Sequence, residues 1–177
     1  MRRITMRFLL ALGVFLTGVG TMTAPASAAT NVTAFANVGG GLCLEISGGT
    51  TAYGSQAQQW GCNGGDNQHW IVWHNSNGFL TIVNRASGQC LEVPGGTTTE
   101  DGVRVQQWPC NNGRNQYWTF ESQRNVNGHS TANIVSASGR CLEISGWNTG
   151  TWGAGAQIWG CNGGDNQRWA VDNDFHM

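Results

Sequence analysis

Hydrophobic and polar positions along this chain change over every few residues, never with a helical period. Segments such as Phe79-Leu-Thr-Ile-Val-Asn84 and Ala132-Asn-Ile-Val-Ser136 are short and β-prone, and a Ser-Gly turn follows each. Next comes Cys-Leu-Glu-Ile or Cys-Leu-Glu-Val, then a loop of Gly, Thr and Asn. A short Gln-rich segment ending in Trp, a turn opened by Cys-Asn, and a closing Asn-Gln-x-Trp segment complete the unit. Strands pack side chains on alternating faces, and Gly and Asn supply the tight reversals between them, so each segment reads as a strand and each polar cluster as a turn.

The unit occurs three times. It runs from Cys43 to Trp70, from Cys90 to Trp118 and from Cys141 to Trp169, with the first cysteines offset by 47 and 51 residues. A recurring unit of short strands, with no distinct caps at either end, predicts an all-β closed architecture with pseudo-threefold symmetry, about four short strands per repeat. The repeats fall at about 31–74, 75–125 and 126–177 and leave no room for a further domain.

Upstream of the first repeat the pattern is different. Arg2, Arg3 and Arg7 precede an apolar run from Phe8 to Val19, and Ala26-Ser27-Ala28 has the small-x-small form that signal peptidase reads. The run is too short for a membrane span, so residues 1–28 are expected to be a signal peptide, and residues 29–177 a single domain that is secreted with no membrane anchor. That domain carries six arginines and no lysine against ten carboxylates, a net charge of −4. Without clustered positive charge it is a poor partner for nucleic acid or an anionic membrane, and without lysine it has no Schiff-base chemistry. Its polarity comes from Gly, Asn, Gln, Ser and Thr beside nine tryptophans, a surface suited to a neutral, hydroxyl-rich ligand.

Each repeat holds one early and one late cysteine. In an exported chain these predict disulfides, and only one pairing gives every copy the same environment: Cys43 with Cys62, Cys90 with Cys110, Cys141 with Cys161. A metal site is not expected, because there is no Cys-x-x-Cys and no histidine at matching positions. No cofactor is implied.

The Cys-Leu-acid opening, the Gln-x-Trp, the second Cys and the Asn-Gln-x-Trp ending, in order in all three copies, resemble the ricin-type β-trefoil lectins, including family 13 carbohydrate-binding modules. The resemblance covers essentially all of the chain beyond the leader. It implies a β-trefoil of twelve short strands with up to three shallow sugar pockets and no catalysis. Carried over residue by residue, the pocket acid falls on Glu45, Glu92 and Glu143. The strand amide and aromatic platform fall on Gln58 with Trp60, Gln106 with Trp108, and Gln157 with Trp159. The Asn-Gln pair falls on Asn67 with Gln68, Asn115 with Gln116, and Asn166 with Gln167, the Gln of each expected to brace the acid rather than touch ligand. Trp70, Trp118 and Trp169 correspond to core residues. Where many members carry Asp, all three copies here carry Glu, whose extra methylene moves the carboxylate by a bond length and bears on which sugar fits.

Independently of the family, a sugar presents an apolar C–H face and a rim of hydroxyls, so a site needs one flat aromatic and a few fixed donors and acceptors. Each repeat has a Trp, a carboxylate and amides that supply them. The bland reading of the glutamates is a half-buried acid satisfied by backbone N–H groups of the Gly-rich loop. Three loop aromatics break the symmetry. Tyr53 and Trp152 precede the aligned Gly54 and Gly153 where the middle copy has Asp101, and Trp147 replaces Gly49 and Gly96, so the third repeat is expected either to offer an extended stacking surface or to use these rings for loop or intermolecular packing.

The leading function is therefore a secreted carbohydrate-binding protein, or lectin, for galactose-, xylose- or arabinose-type sugars or polysaccharides. A protein-binding trefoil, as an inhibitor or toxin-delivery subunit, is the alternative. A glycoside hydrolase is a weaker one, since it needs two carboxylates flanking one bond and the acids here fall one per repeat. The spare acids Glu100, Asp101, Asp172 and Asp174 lie in no recognisable catalytic setting, and His69, His74, His129 and His176 have no nucleophile beside them in sequence.

Overall fold

The computed structural model of the chain describes residues 31–171. The expected signal peptide, with Asp172, Asp174 and His176, lies outside the described residues. Among the described residues there are fourteen strands, five single-turn 3-10 segments and no α-helix. The first repeat contains β1 (Asn31–Thr33), β2 (Ala36–Asn37), β3 (Cys43–Ile46), β4 (Ala57–Trp60) and β5 (Trp70–His74). The second contains β6 (Leu80–Asn84), β7 (Cys90–Glu92), β8 (Val103–Arg104), β9 (Gln106–Trp108) and β10 (Trp118–Val126), and the third β11 (His129–Ser136), β12 (Cys141–Ile144), β13 (Ala156–Trp159) and β14 (Arg168–Ala170).

Two features raise the count above twelve. The first strand among the described residues is broken at Ala34 and Phe35, because Phe35 turns into the core against Trp70 and Phe120. Its two halves serve different neighbours: β1 pairs with β5 and β2 with β14, so the sheet is open in ladder order and the chain itself spans the gap. In the second repeat the third strand is divided, β8 pairing with β13 of the third repeat and β9 with β7 of its own. The closing Asn-Gln-x-Trp segment is also not one strand. Its Asn and Gln sit in 3-10 turns (Asp66–Gln68, Arg114–Gln116, Asp165–Gln167), and the strands begin at Trp70, Trp118 and Arg168. The turn forms because each Gln side chain folds back to accept from the backbone N–H of Asn63, Asn111 or Asn162.

The core is built in symmetric triplets. Leu44, Leu91 and Leu142 are fully buried, as are Trp70, Trp118 and Trp169. A buried indole N–H must find an acceptor. Each of these donates to the backbone oxygen of the leucine in its own repeat, at 3.0, 2.9 and 3.0 Å. Around the pseudo-threefold axis Gln56, Arg104 and Gly155 occupy matching positions. The Arg104 guanidinium lies where a side chain on Gly155 would project, and it donates to the oxygens of Ala156 and Ala57. The longest hairpin, β10–β11, turns on Asn127 and Gly128, both at positive φ as a two-residue type I′ turn requires. Buried Arg168 donates to Ser122 O at 3.0 Å at the bulge of that hairpin; burial, and then Arg124, lower its pKa from the ordinary guanidinium value.

The disulfides are Cys43–Cys62, Cys90–Cys110 and Cys141–Cys161, the symmetric pairing. Each closes a loop of 19 or 20 residues. In the chain-entropy account such a loop contributes about 3 kcal/mol by constraining the unfolded chain. Reduction is therefore expected to lower the guanidinium midpoint sharply, and an unchanged midpoint after complete reduction, verified by mass, would show that the bridges are dispensable.

Candidate functional site

The same constellation is built three times on the outer face of a hairpin. In β3 and β4 the register sets Cys43 opposite Trp60 and Glu45 opposite Gln58. Side chains alternate along a strand, so Cys43, Glu45, Gln58 and Trp60 share one face while Leu44, Ile46 and Ala57 enter the core. The 3-10 turn brings Asn67 and Gln68 over the same face. Glu45 Oε1 accepts from Gln58 Nε2 at 2.9 Å, and Oε2 accepts from Asn67 Nδ2 at 3.1 Å and Gln68 Nε2 at 3.0 Å. Glu92 is held in the same way by Gln106, Asn115 and Gln116 at 2.8, 3.2 and 3.0 Å. Glu143 is held by Gln157, Asn166 and Gln167 at 2.8, 3.1 and 2.9 Å.

The three carboxylates are each only 4% exposed, and their partners are side-chain amides rather than loop backbone. Each ionised carboxylate offers about four acceptor positions. Three are taken, so one remains, at Oε1. The Gln of each Asn-Gln pair has little capacity left. Gln68 Nε2 also donates to Gly61 O at 2.9 Å while its oxygen accepts from Asn63 N at 2.8 Å, a bracing role repeated by Gln116 and Gln167.

Beside each carboxylate stands an exposed ring. Trp60, Trp108 and Trp159 are 37%, 39% and 41% exposed, in contrast with the buried tryptophans of the core. The turn position that holds Asp66 and Asp165 in two copies and Arg114 in the other faces solvent in all three. In the third repeat Trp147, at φ 62°, lies with its ring edge against Gly164 next to Asn166. Beneath it Asn166 is 1% exposed and its Oδ1 has no hydrogen-bond partner, whereas Asn67 and Asn115 are half-buried.

Of the two readings of the loop aromatics, a stacking surface on the third repeat or packing of the rings on other parts of the molecule, Tyr53 and Trp152 follow the second. In each repeat the loop before the Gln-x-Trp strand lies on the next repeat in cyclic order. Gly54 N donates to Gln107 O, Gly102 N to Ile158 O, and Gly153 N to Gln59 O, at 2.9, 2.8 and 2.8 Å. Trp152 of the third repeat therefore packs on Trp60 of the first, with centroids 5.2 Å apart, and Tyr53 of the first on Trp108 of the second, at 5.8 Å. Two residues absent from the sequence reading secure this arrangement. Gln59 Nε2 donates to the oxygens of Asn148, Thr149 and Thr151, and Gln107 Nε2 to those of Thr50 and Ala52. The third copy has Ile158 instead, and Arg140 donates to Thr99 O at 2.8 Å. An apolar residue breaking an otherwise identical motif was the available signal.

Comparison with known proteins places this geometry. The chain is similar to a designed threefold-symmetric protein, ThreeFoil, at 29% identity and a TM-score of 0.71 over 80% of this chain and 98% of that one. It is similar to an exo-beta-1,3-galactanase from Clostridium thermocellum at 30% identity and a TM-score of 0.70, over 78% of this chain but only 30% of the galactanase. It shares its fold with the Macrolepiota procera ricin B-like lectin, solved with lactose, at 22% identity and a TM-score of 0.67 over 83% of this chain and 98% of the lectin. No match was found among curated proteins. The family described as ricin-type beta-trefoil lectin domain-like matches residues 23–108, 71–159 and 114–176. Threefold repetition, an all-β trefoil and this match over nearly the whole chain together establish that the protein belongs to the ricin-type β-trefoil lectin-like family.

Proposed function

We propose that this protein is an exported lectin that holds neutral sugars of the galactose, xylose or arabinose type in up to three shallow sites, one per repeat, without transforming them. The observation that carries the reading is the repeated pairing of a half-exposed Trp with a buried carboxylate that keeps one acceptor position. The ring of Trp60, Trp108 or Trp159 stacks on the apolar face of a sugar. A hydroxyl donates to the remaining position on Glu45, Glu92 or Glu143, and Gln58, Gln106 or Gln157 with Asn67 or Asn115 fixes the orientation, while Asn166, covered by Trp147, serves the third site by holding Glu143. The lactose complex of the Macrolepiota lectin and the GalNAc complex of the earthworm R-type lectin support a sugar ligand for the fold. Binding without hydrolysis is supported by the same geometry, since a carboxylate held by three amides is poorly placed to act as nucleophile or proton donor. Export is supported by the leader-like residues 1–28 and the three disulfides; no helix among the described residues is long and apolar enough to cross a membrane.

Each site is small, so free galactose, xylose or arabinose is expected to bind with a dissociation constant of about 1 mM. Sites in separate repeats can engage one dense glycan together, and effective concentration then raises apparent affinity by about 10²-fold without new contacts. Calorimetry with the free sugars and retention on insoluble galactan, xylan and arabinan measure both. Failure to be retained by any of these, or by a broad glycan array, contradicts the proposal.

A further inference from the structure

We propose that Trp152 and Tyr53 are the outer halves of two-ring platforms, so that the first and second sites take a chain of at least two neutral sugar residues, a platform the third site does not have. The inference rests on the lectin reading and gives its sites a ligand length. Trp152 is 59% exposed and Tyr53 67%, more open than the rings they touch. Their planes are inclined to Trp60 and Trp108 by 51° and 56°. An inclined pair presents two faces rather than one thick stack. It suits two linked sugar rings that are turned relative to each other, with a centroid separation comparable to the span of one ring.

These rings are held, not dangling. Trp152 lies over Gly61, where an added Cβ would come within 2.7 Å of its ring, and its loop is fixed by the three hydrogen bonds from Gln59 Nε2. The loop of Tyr53 is fixed by Gln107 Nε2 and by Gln89 Nε2, which donates to Thr51 O at 2.6 Å. Little conformational freedom is lost when a ligand covers a ring fixed in this way. The third site lacks that inclined partner ring: Trp147, 64% exposed, lies against Gly164 over Asn166 rather than at the position of Trp152 and Tyr53. Asp101 stands there, accepting from Gly160 N at 2.8 Å with Arg140 Nε 3.5 Å away. That ion pair offers hydrogen bonds to one residue's rim but no second stacking face.

The rival explanation is that Trp152 only props Trp60, and chain length separates the two. In the full mature protein, Trp108→Ala with Trp159→Ala leaves the first site alone. Galactose with β-1,3-galactobiose and -galactotriose, and xylose with xylobiose and xylotriose, serve as probes. With Trp152 present, the disaccharide of the bound series is expected to bind about five- to tenfold more tightly than its monosaccharide, from one further stacked ring. Adding Trp152→Ala should remove that gain and leave monosaccharide affinity within about twofold, while Trp152→Phe should restore most of it. In spectra of the unsubstituted protein, the Trp152 indole N–H signal should shift with the disaccharide and not with the monosaccharide. Equal weakening of both ligands would make Trp152 a prop and overturn the inference, as would no change in either. If Trp60→Ala abolishes sugar binding but Trp152→Ala has no effect, the lectin reading stands and the inference alone fails. Binding of neither series by the first site overturns the inference, and the lectin reading falls with it only if the unsubstituted protein is also retained by no polysaccharide or glycan.

Discussion

Trp118→Ala is expected to lower stability by about 5 kcal/mol, a large part of the margin by which a domain of this size stays folded. The indole is fully buried, and its strand pairs with Leu80 on one side and Ser136 on the other, so the cavity opens where the second repeat joins its neighbours. Truncation of a buried Trp costs about 3–5 kcal/mol through lost transfer energy and incomplete collapse. The Leu91 oxygen also loses the indole donor 2.9 Å away, which adds about 1 kcal/mol. Trp108→Ala is the matched control. Its ring is 39% exposed and touches Tyr53 from outside, so the expected loss is about 1 kcal/mol. Chemical denaturation of both variants checks the contrast, and comparable midpoints would mean that core and platform tryptophans are wrongly distinguished.

Glu143→Ala is expected to cost about 3 kcal/mol or more, because three amides, from Gln157, Asn166 and Gln167, lose their shared acceptor inside the fold. Gln167 also caps Asn162 N, so disturbance of its side chain spreads to the turn beside Cys161. Glu143→Gln keeps the shape and one oxygen. Gln157 can present its own oxygen to the new amide by rotating its end group, so the loss should fall to about 1–2 kcal/mol, mainly the charge assistance of the original bonds. The order Ala, then Gln, then the unsubstituted protein in denaturation midpoint is the checkable outcome. Equal stability of the Ala variant would mean that the carboxylate does not organise the turn.

The parts of this account that were legible in the amino-acid sequence are those that repeat. Trp70, Trp118 and Trp169 stand in identical surroundings in three copies, which a symmetric core requires, and one cysteine pair per copy makes pairing within the copy the local symmetric choice. The bracing role of Gln68 follows from the chemistry of an amide next to an acid. What was not legible depends on how copies meet. A loop such as 148–153 is adjacent in sequence to its own Gln-x-Trp strand, yet its backbone bonds go to Gln59 in another repeat. Local pattern carries no information about that cyclic displacement, so the sequence alone does not show that Trp152 meets Trp60 of the first repeat. Similarly, nothing in the run Asp66-Asn67-Gln68 forbids a strand; the 3-10 turn arises because Gln68 must reach both Asn63 and Glu45.

The most direct test of sugar recognition by the three sites is retention of a Trp60→Ala, Trp108→Ala, Trp159→Ala triple variant on the polysaccharide that retains the unsubstituted protein. These rings are partly exposed, so the variant should keep its circular dichroism spectrum and disulfides. Retention is expected to fall stepwise through the single and double variants and to be lost in the triple variant. A folded triple variant retained as firmly as the unsubstituted protein would contradict sugar recognition by the three sites.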